Sequence, residues 1–244
     1  MSQQEVVQQA KVDLAAALRW AEKLGLSEGV CNHFSLLVPG TKDQFLLNPQ
    51  GLHWSEVRAS DILVVDPSGN LIEGKWTIEP TAFFIHSKIH EFVPAAKCVL
   101  HTHMPYTTAL CTLEDSQLKW INQNALRFYQ QVAYEQQYKG LVLDDAEGER
   151  IAGKLAEKRI LFLANHGVIV TGPDMARAFD DLYYVERTAM IQVLAQSTGS
   201  DLKVIPDSIC QLAYEQIEAE SQQSYLHFNA IKRILKKISP EFME

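Results

Sequence analysis

Two short apolar runs that end in histidine constrain this chain more than any other feature. The first is Lys97-Cys98-Val99-Leu100-His101-Thr102-His103-Met104-Pro105. Val99 and Leu100 favour a strand, and Pro105 ends whatever precedes it. Side chains alternate faces along a strand, so residues two apart project the same way. The imidazoles of His101 and His103 then converge at the strand's C-terminal end. The second run is Arg159-Ile160-Leu161-Phe162-Leu163-Ala164-Asn165-His166-Gly167, again apolar and again closed by a histidine at a turn. Three imidazoles at strand ends, with a fourth position open, is the arrangement expected of a catalytic metal site.

The rest of the chain alternates helices with short strands. Gln4 to Leu24 reads as an amphipathic helix, with Val7, Ala10, Leu14, Ala17, Leu18 and Ala21 on one stripe and Gly25 as its stop. Phe34–Val38, Phe45–Leu47 and Ile62–Val65 read as strands. Turn residues close each of them: Pro39-Gly40, Asn48-Pro49-Gln50-Gly51 and Asp66-Pro67-Ser68-Gly69. Antiparallel hairpins are the natural reading of that spacing. Thr81–Phe92 is helical behind Pro80. A strand over Cys98–His101 and a short helix over Thr107–Leu113 follow. Leu118–Leu143 is rich in Gln and Tyr and shows no period. A helix over Ala146–Glu157, strands over Ile160–Ala164 and Gly167–Thr171, and helices over Asp174–Ser197 and Tyr214–Lys237 complete the reading. Without repeats, low-complexity tracts or a linker, residues 1–244 read as one α/β domain with a mostly antiparallel sheet and helices on both sides.

The bulk numbers exclude some function classes. A hydrophobic share of 47% over 244 residues suffices to bury a core without disulfides. The net charge of −8 argues against a nucleic-acid partner. The four cysteines are scattered and form no C-x-x-C pair, as expected in a reducing compartment. The polar first ten residues lack a signal-peptide pattern, and no run of eighteen apolar residues offers a membrane span. A cytoplasmic protein without membrane contact is the expectation.

Six short motifs fall in one order: Asn32-His33-Phe34-Ser35, Asn48-Pro49-Gln50-Gly51-Leu52, Glu73-Gly74-Lys75, Glu79, His101-Thr102-His103 and Asn165-His166-Gly167. Together they resemble the class II aldolase/adducin family, from about residue 14 to 194, with a C-terminal helical tail at about 208–238 left over. The resemblance implies a three-layer α/β/α sandwich around a central, mainly antiparallel sheet. It also implies a homotetramer with active sites at subunit interfaces. His101, His103 and His166 would hold a divalent ion, usually zinc, and Glu79 would be the catalytic carboxylate. Asn32 and Gly51 would line the substrate loop. Sugar-phosphate members carry a hydroxyl pair just before the Glu, where this chain has Thr77-Ile78, and commonly a Thr before the Gly, where it has Gln50. The loop thus loses two of the donors that grip phosphate, which points away from a typical sugar phosphate. Aldolases of the family supply a Tyr acid from a neighbouring subunit. Alignment puts Gln123 or Asn124 there, with Tyr129, Tyr134 and Tyr138 nearby. The stretch Asn48 to Val57 also looks like adducin heads, while retention of Glu79 beside three His favours chemistry.

A divalent ion on three neutral imidazoles keeps its full charge and can act as a Lewis acid toward a substrate carbonyl and hydroxyl. Stabilising an enediolate in this way serves aldol cleavage, epimerisation, decarboxylation or dehydration of a small hydroxy-carbonyl or keto-acid substrate, with Glu79 as base. Three imidazoles suit zinc, and equally Mn, Fe(II), Co or Ni. Two other classes stay open: a non-catalytic adducin-like interaction module, and an Fe(II)-dependent oxygenase or decarboxylase on the same scaffold. His86 and His90, four residues apart on one helix, form a possible metal pair; the favoured expectation is that His86 packs under the sheet and His90 faces solvent. His33 reads as a turn residue, and Tyr183 to Glu186 as core packing with a solvated face.

Overall fold

Apolar runs bounded by turn residues become strands, and amphipathic stripes become the helices that cover them. The computed structural model describes residues 2–244. Along the chain run α1 (Gln3–Lys23), β1 (His33–Leu37), β2 (Phe45–Leu47), β3 (Leu63–Val65), β4 (Leu71–Glu73), α2 (Pro80–Phe92), β5 (Cys98–Thr102) and α3 (Pro105–Cys111). Then follow β6 (Val132–Glu135), α4 (Asp145–Leu155), β7 (Ile160–Leu163), β8 (Gly167–Gly172), α5 (Met175–Gln196), α6 (Asp207–Ala219) and α7 (Gln222–Ile238). Among the described residues the eight strands form one sheet in the order β4-β3-β2-β1-β5-β8-β7-β6. Every neighbouring pair is antiparallel except β6–β7, which is parallel. This is the α/β sandwich with a mainly antiparallel sheet that the sequence predicts.

The two-residue period of the strands sorts the core into two layers. On one face Leu100, Phe162, Val168 and Val170 pack with Leu14 and Leu18 of α1, Phe179 and Leu182 of α5, and Phe228 and Ile231 of α7. On the other, Val99, Leu161 and Ile169 pack with Ile85 and Ile89 of α2 and Ile151 of α4. Parity therefore sends His101 of β5, and His33 and Ser35 of β1, to the α2 face. Phe34 and Leu36 go to the opposite core.

Three regions differ from the sequence reading. The helix expected over Tyr214–Lys237 is two helices, α6 and α7, parted at Glu220 and Ser221. No Gly or Pro marks that break. It arises because α6 packs on the 3₁₀ turn Gln123–Phe128 while α7 packs on α1 and α5. The periodless stretch 118–143 holds that turn and β6, whose four residues pair in parallel with β7. So short an edge strand is defined by its partner and leaves little periodic signal. β4 is likewise short and exposed, added to β3 with a register shift. Among the described residues no helix is long and apolar enough to cross a membrane.

Candidate active site

β5 and the turn after β7 bring three imidazoles together. His101 lies on β5, His103 just past its end, and His166 in the turn between β7 and β8. Their ring centroids lie 5.0 Å apart for His101–His103 and 4.8 Å for the other two pairs. One ring nitrogen from each falls within 4.8 Å of the others. His101 is fully buried and donates through Nδ1 to the Val168 carbonyl at 3.0 Å. His103 Nδ1 faces Glu28 Oε2 at 2.5 Å. With each Nδ1 facing an oxygen acceptor, the Nδ1–H tautomers turn two Nε2 lone pairs toward each other at 3.2 Å. Two such lone pairs repel unless a cation lies between them, so the donor set fits a divalent ion. Acceptors on the outer nitrogens are how metal-bound histidines are usually oriented.

Local geometry explains the Asn165-His166-Gly167 motif residue by residue. A three-residue turn joins β7 to β8. Asn165 sits at φ +55°, a left-handed conformation that Asn tolerates best after Gly. Its N–H donates to the Cys111 carbonyl. At Gly167 a Cβ would lie 2.5 Å from the Thr102 carbonyl and 2.8 Å from the His103 ring. Only glycine lets β8 begin that close to the end of β5. Without it His166 would be pushed away from the other two rings.

The three rings open on a cavity of about 680 Å³. Glu79, Gln50, Gly51, Tyr138 and His33 line it as well. Glu79 also caps α2: its Oε2 accepts from the Ala82 N–H at 2.6 Å and the Thr81 hydroxyl at 2.5 Å. Its carboxylate is therefore held rigidly at the cavity wall, and capping and cavity lining coexist. Gln50 and Thr77 are joined, Thr77 Oγ1 to Gln50 Oε1 at 3.2 Å and Gln50 N–H to the Thr77 carbonyl at 3.0 Å. Thr77 itself does not line the cavity. Nor does Asn32, which is buried; its Oδ1 accepts from the Glu28 N–H at 2.8 Å and faces the His103 N–H at 3.5 Å. Asn32 thereby ties the 28–32 loop to His103. Ile78 packs in the small core of Phe45, Leu47 and Leu63.

Of the three tyrosines, only Tyr138 reaches the cavity, with its ring centroid 6.3 Å from that of His166. Tyr129 meets Trp120 edge to face. Tyr134 packs on Phe162, accepts a hydrogen bond from the Leu118 N–H, and has its phenol pushed up to about 12 by burial. Neither Tyr129 nor the partly buried Tyr134 lines this cavity.

Burial governs the electrostatics. It lowers the His101 pKa well below the usual imidazole value, with the nearby rings of His33, His166 and His103 adding to the effect. His166 falls to about 4, from burial first, then repulsion from His103, with Glu28 opposing. Depressed histidines keep their lone pairs free for a metal into mildly acidic solution.

Sequence reasoning missed several groups. Glu28 lies in a loop with no periodic signal, so nothing marked it as a partner of His103. Glu186, expected on a solvated face, is buried and caps α3. Its carboxylate accepts from the N–H groups of Tyr106 and Thr107 and from the Thr107 hydroxyl, which sets the chain direction just after His103. His33, read as a turn residue, opens β1, pairs in register with His101 and lines the cavity. His90, expected to face solvent, has both ring nitrogens in hydrogen bonds, to Ser35 Oγ and the Ala96 carbonyl. His86 does pack under the sheet, as expected, bonded to His33 and Ser35.

An eight-stranded, mainly antiparallel sheet that gathers three histidines at its strand ends is a scaffold with known relatives. The chain belongs to the class II aldolase and adducin family: the model of the Class II Aldolase and Adducin N-terminal domain matches residues 12–193. It is 35% identical over 210 residues to a Pseudomonas aeruginosa protein named for the class 2 aldolases, spanning 86% of this chain and 80% of that protein. It is 32% identical over 203 residues to rat alpha-adducin, covering 80% of this chain and 27% of the much longer adducin. The crystal structure of an aldolase II superfamily protein from Pseudomonas syringae superposes with a TM-score of 0.91 at 32% identity, over 98% of this chain and 96% of that one.

Proposed function

We propose that the protein is a metal-dependent carbon–carbon lyase of the class II aldolase type, acting on a small hydroxy-carbonyl or keto-acid substrate other than a typical sugar phosphate. One observation carries this reading: three convergent imidazoles and a rigidly held carboxylate face one cavity. His101, His103 and His166 would hold a divalent ion, zinc first, with Mn, Fe(II) or Co as alternatives. When bound, that ion would polarise a substrate carbonyl and stabilise the negative charge left by carbon–carbon cleavage or decarboxylation.

The chain's own groups divide the remaining work. Val168 O and Glu28 keep His101 and His103 in the tautomer that leaves Nε2 free. Glu79 Oε2 is committed to the α2 cap, which leaves Oε1 to take or return a substrate proton. Tyr138, which lines the same cavity beside His166, is the candidate acid. Gln50 and Gly51 border the substrate, with Thr77 bracing Gln50 and Asn32 bracing the loop beside His103. Leu141 lines the cavity and is 68% exposed. A second copy covering it would exclude water, which supports an oligomer, a tetramer by family likeness, with active sites at interfaces.

The similarity to adducin supports one other reading, an interaction module that keeps the fold without chemistry. Metal analysis and a substrate screen separate the two. Protein purified without chelator should carry about one ion per chain and cleave a member of a hydroxy-carbonyl and keto-acid panel, and Glu79→Gln should abolish turnover while keeping the ion. Metal content that Zn, Mn or Fe cannot restore would sink the lyase.

A further inference from the structure

Beneath the three-histidine group runs a second polar chain, one that the proposed reaction leaves unused. His33 and Ser35 point from β1 toward α2, where His86 and His90 meet them. His33 Nδ1 lies 2.7 Å from His86 Nε2. His86 Nδ1 bonds Ser35 Oγ. Ser35 Oγ lies 2.8 Å from His90 Nε2, and His90 Nδ1 lies 2.9 Å from the Ala96 carbonyl oxygen. His33, Ser35 and His86 are buried, and no carboxylate bonds to any of the four side chains.

The last link fixes the direction of every other. A carbonyl oxygen only accepts, so His90 Nδ1 carries a proton. Burial without an acidic partner keeps the rings neutral, so each has one N–H. His90 Nε2 is then bare and accepts the single Ser35 proton. Ser35 Oγ must in turn accept from His86 Nδ1. His86 Nε2 is therefore bare and accepts from His33 Nδ1. His33 Nε2 is left as a lone pair. It has no partner among the described residues, and its ring lines the cavity with its centroid 4.8 Å from that of His101. It also stands outside the three-nitrogen group suited to an ion.

We propose that His33 is a substrate-recognising residue: its Nε2 accepts a hydrogen bond from a hydroxyl of the substrate, next to the group held at the three histidines. The inference rests on the proposed lyase reading and narrows its substrate to compounds that carry a donor there, hydroxy-carbonyls and hydroxy acids ahead of plain keto acids. A bare Nε2 presents an acceptor to the cavity, so His33 selects a donor there. A cavity built to hydrogen-bond a hydroxyl discriminates strongly against an analogue without one, because its buried acceptor is then unpaired.

Two measurements test this on the whole protein. Long-range proton–nitrogen correlation spectra of nitrogen-15 histidine-labelled, metal-free protein at neutral pH should show His33 protonated at Nδ1 and bare at Nε2; protonation at Nε2 overturns the proposal. Calorimetric titration of the zinc-loaded protein should show glycolate binding about tenfold or more tighter than methoxyacetate, which keeps the ether oxygen and loses the donor. His33→Phe should bring the two acids together. Equal affinity for the wild-type protein overturns the proposal without a variant having to fold. If zinc does not bind, the lyase reading falls separately; the spectra still decide the tautomer, and the same two acids titrated into metal-free protein decide recognition.

Discussion

Two clusters of imidazoles lie on the same face of one sheet, and they serve opposite purposes. His101, His103 and His166 sit where strands end, with nitrogens aimed at a common open point. His33, His86 and His90 sit under the strands, with all nitrogens but one spent on one another, Ser35 and a carbonyl. In the first cluster lone pairs face lone pairs at 3.2 Å, an arrangement that waits for a cation. In the second every lone pair but that of His33 Nε2 meets a proton, an arrangement that holds together without a cation. What separates a ligand set from a structural chain is therefore the balance of donors and acceptors, since both clusters are rich in histidine.

The largest expected contrast comes from removing one ring from each cluster. His166→Ala should cut metal content to background and turnover by about a thousandfold, while the melting temperature of the metal-free protein changes little, because this ring sits half-buried in a turn. Metal analysis and steady-state kinetics check it. His86→Ala should do the reverse: metal per folded chain is retained, and stability falls by about 3–5 kcal/mol, from a cavity plus unsatisfied His33 and Ser35 groups. Denaturant melts read the loss, and a drop in metal per folded chain would break the distinction between the clusters.

Acid should attack the structural chain next. Burial, followed by repulsion from His166 and His103, lowers His33 to about 3, and burial lowers His90 to about 4 against a weak pull upward from the Ala96 carbonyl; the free value is 6.5. His86 is lowered too, by burial and then by its histidine neighbours. Folded-state values below the free value mean the unfolded chain binds the extra protons. The stability is then complete above about pH 6.5 and is lost as pH falls toward 4 and 3. With the lowered His101 and His166 adding to the same loss, chelated protein should lose about 5 °C of melting temperature or more between pH 7 and pH 5.5, and a flat profile would place these rings in contact with water. The smallest effect belongs to Glu28→Gln, on an exposed side chain: metal affinity should weaken about 10- to 100-fold through loss of His103 orientation, with the fold unchanged. Competition with a fluorescent chelator measures it.

Much of this was legible in the chain. His101-Thr102-His103 followed from strand parity, which any two residues in that spacing obey. Asn165-His166-Gly167 announced a turn, and the structure adds why each residue is needed: a left-handed Asn, a ring, and a glycine against the Thr102 carbonyl. Glu28, Glu186 and the His33 chain were not legible. Glu28 acts across 75 positions and Glu186 across 79, and neither sits in a local pattern that separates it from an ordinary surface acid. The break between α6 and α7 was hidden for the same reason, because what each helix packs against is decided elsewhere in the chain.

The sequence by itself determined six of the eight strands, their parity and hence which of their side chains share a face, because the two-residue period is a property of the extended backbone. It also determined that His101 and His103 point together. Only the tertiary structure decided that His166 joins them, that Glu79 faces the cavity while capping α2, and that the remaining buried histidines form a directed chain ending in a lone pair at His33. Those outcomes depend on which carbonyl, hydroxyl or carboxylate lies within about 3 Å of each ring nitrogen, and proximity of that kind is set by the packing of β1, β5, β8 and α2 against one another.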